Sequence, residues 1–388
     1  LIKPQIKLKN QKELFQLPPD IHYLNGAYMS PLLRSVEEAG IAALIKKRNP
    51  VQISPSDFFS DAEILRKNFG QLINGLADQI AIIPSASYGL TTAVNNLPKN
   101  NGNTALVVSD EFPSGYYAIE KWCNENHKNL ITLKAPKSLK ARGEHWNQII
   151  LDSINEDTAT VLISSIHWTD GTLFDLKAIG AKCKKHQAVF IVDGTQSVGA
   201  LPIDVMKCQI DALVCAGYKW LMGPYSIGLA YFSEIFNHGT PLEETWMNRS
   251  NARNFSGLTS YVNDYSPGAG RYNVGEFSNF ALLPMLNTAI EQILKWDPAY
   301  IQSYCEQLSK PLIAFLRENG YWVEEDAYRA KHLFGILLPE HIDQEVLLKK
   351  LQENNIFVSV RGKAIRLSLH LYNTEDDIKA LMDVLKGL

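Results

Sequence analysis

The sequence predicts an α/β chain: a large unit with a mostly parallel sheet sandwiched by helices, then a smaller C-terminal α+β unit. Three observations predict it. Short runs apolar on both faces, such as 189–192, 212–216 and 227–232, alternate with stretches of helical periodicity. Strands buried on both faces belong to parallel sheets covered by helices. Two successive runs end on residues able to do chemistry, Asp193-Gly194-Thr195-Gln196 and Gly217-Tyr218-Lys219-Trp220. In an open α/β sheet the carboxyl ends of the strands form the ligand-binding edge. The composition also changes after Phe232: residues 240–279 are rich in Asn, Ser, Gly, Tyr and Arg with little periodicity, and a different pattern follows. A loop of that length inside a compact chain is usually functional.

The elements follow in order. Residues 1–22 are charged and mixed, an arm with one short helix, and residues 23–279 form the large domain. Tyr23-Leu24-Asn25-Gly26-Ala27 is a short strand that breaks into a Gly/Ser/Pro turn. Helices are expected over 32–48 and 57–76, the second marked by Phe58, Ala62, Leu65 and Phe69. Ile82-Ile83-Pro84-Ser85-Ala86-Ser87 leads into Leu90, Ala93, Val94 and Leu97, one helix face. Ser85, Ala86 and Ser87 thus open a helix, whose free N–H groups and positive dipole end suit an anion.

Strands are expected over 104–108, 130–133 and 158–166, with a helix over 175–186 carrying Leu176, Ile179 and Cys183 on one face. The smaller domain, 280–388, reads as helices 280–295 and 298–318, then strands 321–324 and 333–338. Helix 343–353, strands 356–360 and 364–369, and a last helix capped by Thr374 complete it.

Bulk properties narrow the function. The 388 residues suffice for two domains with sizeable cores. A net charge of −3 offers no basic surface for nucleic acid, and no apolar run is long enough to span a membrane. The first residues lack the apolar core of a signal peptide. The chain starts without Met, so its true start is expected upstream. Five scattered cysteines with no C-x-x-C pair argue against a disulfide framework and a zinc site. The nine histidines show no metal-ligand spacing, so no metal is expected. A reducing, cytoplasmic setting follows from this pattern.

Lys219 is the central chemical residue. A lysine is a nucleophile only if its pKa falls, which desolvation achieves, and its apolar and aromatic flanks suit that. Alone, it reads better as a surface lysine at a strand end. With Asp193 and the 85–87 loop it fits pyridoxal 5′-phosphate (PLP): Lys219 for the Schiff base, Asp193 for the pyridinium nitrogen. Asp193 also fits a helix N-cap. Gln196 is placed to donate to the cofactor's phenolic oxygen. Ser85, Ala86 and Ser87 are placed to cradle its phosphate. Phe112 follows a strand end and can lie flat on the ring, or belong to the core. Arg366, on the alternating strand 364–369, can grip a substrate carboxylate bidentately, or form a structural ion pair. Arg361 is a second, weaker candidate.

These motifs together resemble the class V aminotransferase family of fold type I PLP enzymes. They are Ser85-Ala86-Ser87, Glu111-Phe112-Pro113-Ser114, Asp193-Gly194-Thr195-Gln196-Ser197-Val198-Gly199, Gly217-Tyr218-Lys219, and Arg366 with Ser368. The resemblance spans Tyr23 to Asp377. It implies a homodimer with the active site at the subunit interface, Asn25 and Gly26 near an amino acid substrate, and Arg366 as its carboxylate anchor. Glu276-Phe277-Ser278-Asn279 resembles the segment that one subunit lends to the other's phosphate site, which makes Ser278 and Asn279 cofactor contacts. Tyr218 beside the lysine is similar to kynureninase-like and isopenicillin N epimerase-like members, and its hydroxyl could bond the phosphate. The family often has Asn where Trp168 stands, leaving Thr169 or His167 for that role.

Desulfurase-like members carry a catalytic Cys loop shortly before the anchor arginine; here Val358 to Arg366 runs through without one. A persulfide mechanism needs a mobile, exposed thiolate. Transamination is the first expectation. Epimerisation or racemisation, C–S or C–C cleavage, and a catalytically silent binding protein are the alternatives. Retention of both Lys219 and Asp193 speaks against the last.

Overall fold

A computed structural model describes residues 9–98 and 102–388. Of the expected N-terminal arm, residues 1–8 lie outside this range. The described chain opens with β1 (His22–Tyr23), α1 (Arg34–Lys47) and α2 (Asp57–Ile73). There follow β2 (Ile80–Ile83), α3 (Ala86–Asn95), β3 (Thr104–Val108), α4 (Pro113–Glu125), β4 (Asn129–Leu133) and α5 (Arg142–Ser153). Next come β5 (Thr158–Ser164), α6 (Leu176–Lys185), β6 (Val189–Asp193), β7 (Ala212–Ala216) and β8 (Gly228–Phe232). The C-terminal part holds α7 (Leu282–Trp296), α8 (Pro298–Glu318), β9 (Leu333–Leu337), α9 (Gln344–Glu353), β10 (Ile356–Phe357), β11 (Ser359–Arg361), β12 (Ala364–Ser368) and α10 (Glu375–Lys386).

Seven strands form the large sheet in the order β2-β8-β7-β6-β5-β3-β4. β3 to β7 pair in parallel, while β8 is antiparallel to both its neighbours. β2 therefore points the same way as the parallel set. The carboxyl ends of β2, β3, β5, β6 and β7, and the start of β8, meet at one edge. Every residue of β2 and of β5 to β8 is buried, as strands covered on both faces must be. No helix among the described residues is long and apolar enough to cross a membrane.

The second sheet is antiparallel, β11-β12-β9, and β1 pairs in parallel with β10 beside it. The chain's beginning is thereby stitched to its end. Asn10 Nδ2 donates to Leu371 O at 3.0 Å, and Asn373 Nδ2 donates to Tyr23 O at 2.9 Å.

Several local expectations differ from the structure. Residues 321–324 form no strand; only Trp322 pairs with Leu337, because Glu324 turns inward to meet Arg142. Residues 356–360 divide at Val358, one half pairing with β1 and the other with β12. Two further helices, α4 and α5, bury faces at helical spacing: Gly115, Ile119 and Cys123 in α4, and Gly143, Trp146, Asn147 and Ile150 in α5. α7, grouped by composition with residues 280–388, packs its buried Leu283, Leu286, Ile290 and Ile293 toward α1 and α2 of the large unit.

Candidate active site

A cavity of about 310 Å³ opens at the shared strand edge. Its wall draws on six strand ends: Ser85–Ser87 after β2, Phe112 after β3, Ser164 and Trp168 at β5, Asp193 and Gln196 at β6, Lys219 after β7, and Ile227 before β8. Lys219 is 7% exposed. Its Nζ lies 5.5 Å from the Phe112 ring centroid and 5.6 Å from that of Tyr218. Among the described residues no ion pair forms at this amine. Burial pulls its pKa down to about 8; Asp193 opposes that, while Arg366 and Arg361 reinforce it. A lysine desolvated in this way gives up its proton near pH 8, more than two units below an exposed lysine.

Asp193 ends β6 and is buried. Its Oδ1 accepts from Thr195 N at 2.8 Å. No helix follows it, so it is not an N-cap, and it lines the Lys219 cavity. Burial pushes its pKa up, against the hydrogen bonds from Thr195 and the charge of Lys219. Gln196 is locked on three sides. Its Nε2 donates to Ala27 O at 3.2 Å, its Oε1 accepts from Trp220 Nε1 at 3.0 Å, and its carbonyl meets His332 Nε2 at 2.9 Å.

Ser85 caps α3, its Oγ accepting from Tyr88 N at 3.2 Å and lying 2.9 Å from Ser87 Oγ. The first N–H groups of a helix have no intrahelical acceptor, so this end faces the cavity with donors to spare. Phe112 stands at the start of α4, its ring edge-on to Trp168 at 5.4 Å.

Glu111 was not singled out from the sequence, although its motif was. It is buried, and its Oε1 accepts from Phe112 N at 2.7 Å while its Oε2 accepts from Ser164 N at 2.7 Å. It also bonds the Ser164 hydroxyl. One carboxylate thus ties the Phe112 turn to the end of β5.

Arg366 is 1% exposed and donates through Nη1 to Trp168 O at 2.8 Å. Its Nε is buried without a partner. No carboxylate pairs with it among the described residues, so the structural ion-pair reading fails. Burial, then Arg361, lowers its pKa to about 9. Asn25 Oδ1 accepts from Ser359 Oγ at 2.6 Å, and Ala27 N donates to Ser368 Oγ at 3.0 Å. A Cβ on Gly26 would lie 2.6 Å from the Tyr372 hydroxyl, so only glycine lets this segment approach.

Thr169 does not reach the cavity. Its hydroxyl lies 2.9 Å from His167 Nδ1, and Trp168 lines the wall instead. His167 is buried beside Asp170, which is ion-paired to Arg142 at 2.8 Å. Burial opposes its protonation, but Asp170 at 3.4 Å holds its pKa above the ordinary value. That turn meets the small sheet, where Gly335 N donates to Asp170 O at 2.8 Å.

Ser278 and Asn279 lie apart from Lys219. They line a second cavity of about 410 Å³ with Leu44, Lys47, Phe58 and Trp246. Asn279 Oδ1 accepts from Leu282 N at 2.9 Å and so starts α7. Among the described residues no cluster of His, Cys, Asp or Glu is arranged to hold a metal ion.

The residues present fit PLP. An unpaired amine, a buried carboxylate, an aromatic ring and a small-residue helix start surround one cavity, one partner for each part of that cofactor. Fold and site together define a PLP-dependent enzyme of fold type I. The family described as Aminotransferase class-V matches residues 52–381, and the chain belongs to it.

The uncharacterized aminotransferase YcbU of Bacillus subtilis is 21% identical, covering 92% of this chain and 90% of its own. A kynureninase of Shouchella clausii is 22% identical, covering 99% of this chain and 91% of its own. The solved structure of the cystine C–S lyase C-DES, in complex with cysteine persulfide, superposes with a TM-score of 0.81 at 19% identity. It covers 94% of this chain and 97% of that one, a likeness of fold.

Proposed function

We propose that the protein is an aminotransferase acting on an α-amino acid, with Lys219 as the residue that carries PLP and moves the proton at the substrate Cα. The observation that carries this reading is the Lys219 amine: buried, without an ion pair among the described residues, and in one cavity with Asp193 and Phe112. Bound PLP supplies an electron sink for charge developing at the substrate Cα. The chain's own residues do the rest.

Asp193 holds a proton on the ring nitrogen, because a buried carboxylate is stabilised by a cation beside it. Phe112 covers the ring face. The start of α3, with the Ser85 and Ser87 hydroxyls and that of Tyr218, takes the phosphate. Arg366 exchanges the Trp168 carbonyl for the substrate carboxylate, a stronger, charge-assisted partner. Asn25 and Gly26 close the substrate side. Lys219, desolvated so that its amine becomes neutral as pH rises through about 8, takes the Cα proton and returns it.

No cysteine lines this cavity, and four of the five are buried elsewhere. Thiol-based sulfur transfer therefore has no support here. A second reading, side-chain cleavage that begins with the same Cα proton, draws on the kynureninase relative and uses the same lysine.

Dimerisation also belongs to the proposal. α1 exposes Ile41, Leu44 and Ile45, and Leu44 borders the cavity that holds Ser278 and Asn279. An exposed apolar stripe beside those two residues suits a second copy, to whose phosphate site they would be lent.

The test is an amino acid screen on PLP-loaded protein without an oxo-acid acceptor. Transamination releases one equivalent of 2-oxo acid per site and stops, with stoichiometric loss of the cofactor's visible band. Continuous ammonia release or loss of optical activity would replace this reading with a lyase or an epimerase.

A further inference from the structure

We propose that Arg361 is a second anion anchor, so that the substrate is an amino acid with a second carboxylate on its side chain. This rests on the amino acid reading above. Strand register puts the residue there. In the β11–β12 hairpin Ser359 pairs with Arg366, and Arg361 pairs with Ala364. Paired residues share a face, as do residues two apart on one strand. Arg361 and Arg366 therefore project from the same face.

That face meets the site. Its Ser359 bonds Asn25 at 2.6 Å, and its Arg366 bonds the Trp168 carbonyl at 2.8 Å. The Arg361 guanidinium lies against the Trp168 indole, 5.8 Å from the ring centroid. Trp168 lines the Lys219 cavity. One residue thus spaces two guanidinium groups: its ring faces one and its carbonyl holds the other.

Charge balance points the same way. No carboxylate pairs with either arginine among the described residues; Arg361 Nη1 reaches only the neighbouring Val360 O, at 2.7 Å. Both arginines depress the Lys219 amine, and Asp193 is the one carboxylate that opposes them. With Asp193 committed to the ring nitrogen, an α-carboxylate satisfies Arg366 and leaves Arg361 without an anion. A second carboxylate completes the pairing through the planar, bidentate geometry that guanidinium favours.

The experiment compares aspartate, glutamate and 2-aminoadipate with their side-chain amides on PLP-loaded protein. At least one acid is expected to show a KM tenfold or more below that of its amide. R361Q removes that gap through KM, R361K keeps only part of it because a single ammonium lacks the bidentate fork, and R366Q weakens acid and amide together. Calorimetry provides a readout without turnover: glutarate binds at least tenfold tighter than its monoamide, and R361Q abolishes the difference. Equal treatment of acid and amide in both assays overturns the proposal. Should amino acids leave the cofactor band unchanged while the glutarate preference holds, the reaction reading fails and the second anchor stands.

Discussion

The seven-stranded sheet lines the Lys219 cavity and the three-stranded sheet backs its Trp168 wall, and the two place their residues by different rules. In the large sheet every contributor sits at a strand end: Ser85, Phe112, Asp193 and Lys219 each lie within a few residues of the edge. Parallel strands finish together, so position along the chain suffices to bring them there. In the small sheet Arg366 sits mid-strand and Arg361 stands directly before the Gly362-Lys363 turn. Their direction depends on alternation, on pairing register, and on the Trp168 turn that receives them. The large sheet converges by topology and the small one by register. The first arrangement tolerates local change, whereas a one-residue slip would turn the second inside out.

The largest effect tests the strand-end rule. Lys219→Ala is expected to lower turnover by about 10⁴-fold or more, since attachment and proton transfer go together. Steady-state kinetics and loss of the visible cofactor band check it. A subtler version uses the apoprotein. The folded-state pKa of Lys219, about 8, lies below its ordinary value of 10.5, so burial of the charged form destabilises the fold below pH 8. Lys219→Met is expected to raise apoprotein stability at pH 7 by roughly 3 kcal/mol. The gain shrinks as pH rises from 8 through 10.5, above which the wild-type amine is neutral in both states. Denaturant melts at pH 7 and pH 10 measure it, and an equal gain at both would break the desolvation argument.

The register rule is tested at Arg366. Arg366→Gln loses a charge-assisted carboxylate contact of about 1.5–3 kcal/mol, or roughly 10–150-fold in kcat/KM, with PLP affinity retained. A comparable loss of PLP affinity would mean that the small sheet shapes the cofactor site as well.

The seam between the two regions is tested at Gly335, which pairs with Arg366. An added Cβ would lie 2.8 Å from Asp170 Cα, in backbone that cannot yield cheaply. Gly335→Ala is expected to destabilise the protein by about 1–3 kcal/mol and to raise KM more than it lowers kcat.

The smallest test returns to the large sheet. Glu111→Gln leaves one donor facing a donor, Phe112 N or Ser164 N, at about 1–3 kcal/mol of stability. It is expected to change PLP affinity less than tenfold. Urea melts with PLP titration separate the two outcomes.

The sequence by itself determined the strands of the large sheet and the residues at their ends. Continuous apolar runs mark buried parallel strands, and the polar residues that interrupt them fall at the ligand edge. That reasoning reached Lys219, Asp193, Ser85 to Ser87 and Phe112 directly. Arg366 was legible as an arginine on an alternating strand, but its target was not. Tertiary structure decided what no local pattern encodes. It put Trp168, not Thr169, on the cavity wall, because His167 and Asp170 anchor that turn to Arg142 and Gly335. It made Glu111 a brace between two strand ends. It placed Ser278 and Asn279 on an outer face, away from Lys219. The physical reason is range. Periodicity and turn chemistry act over a few residues, whereas hydrogen bonds, register and burial join Trp168 to Arg366 and Asn25 to Ser359 across most of the chain.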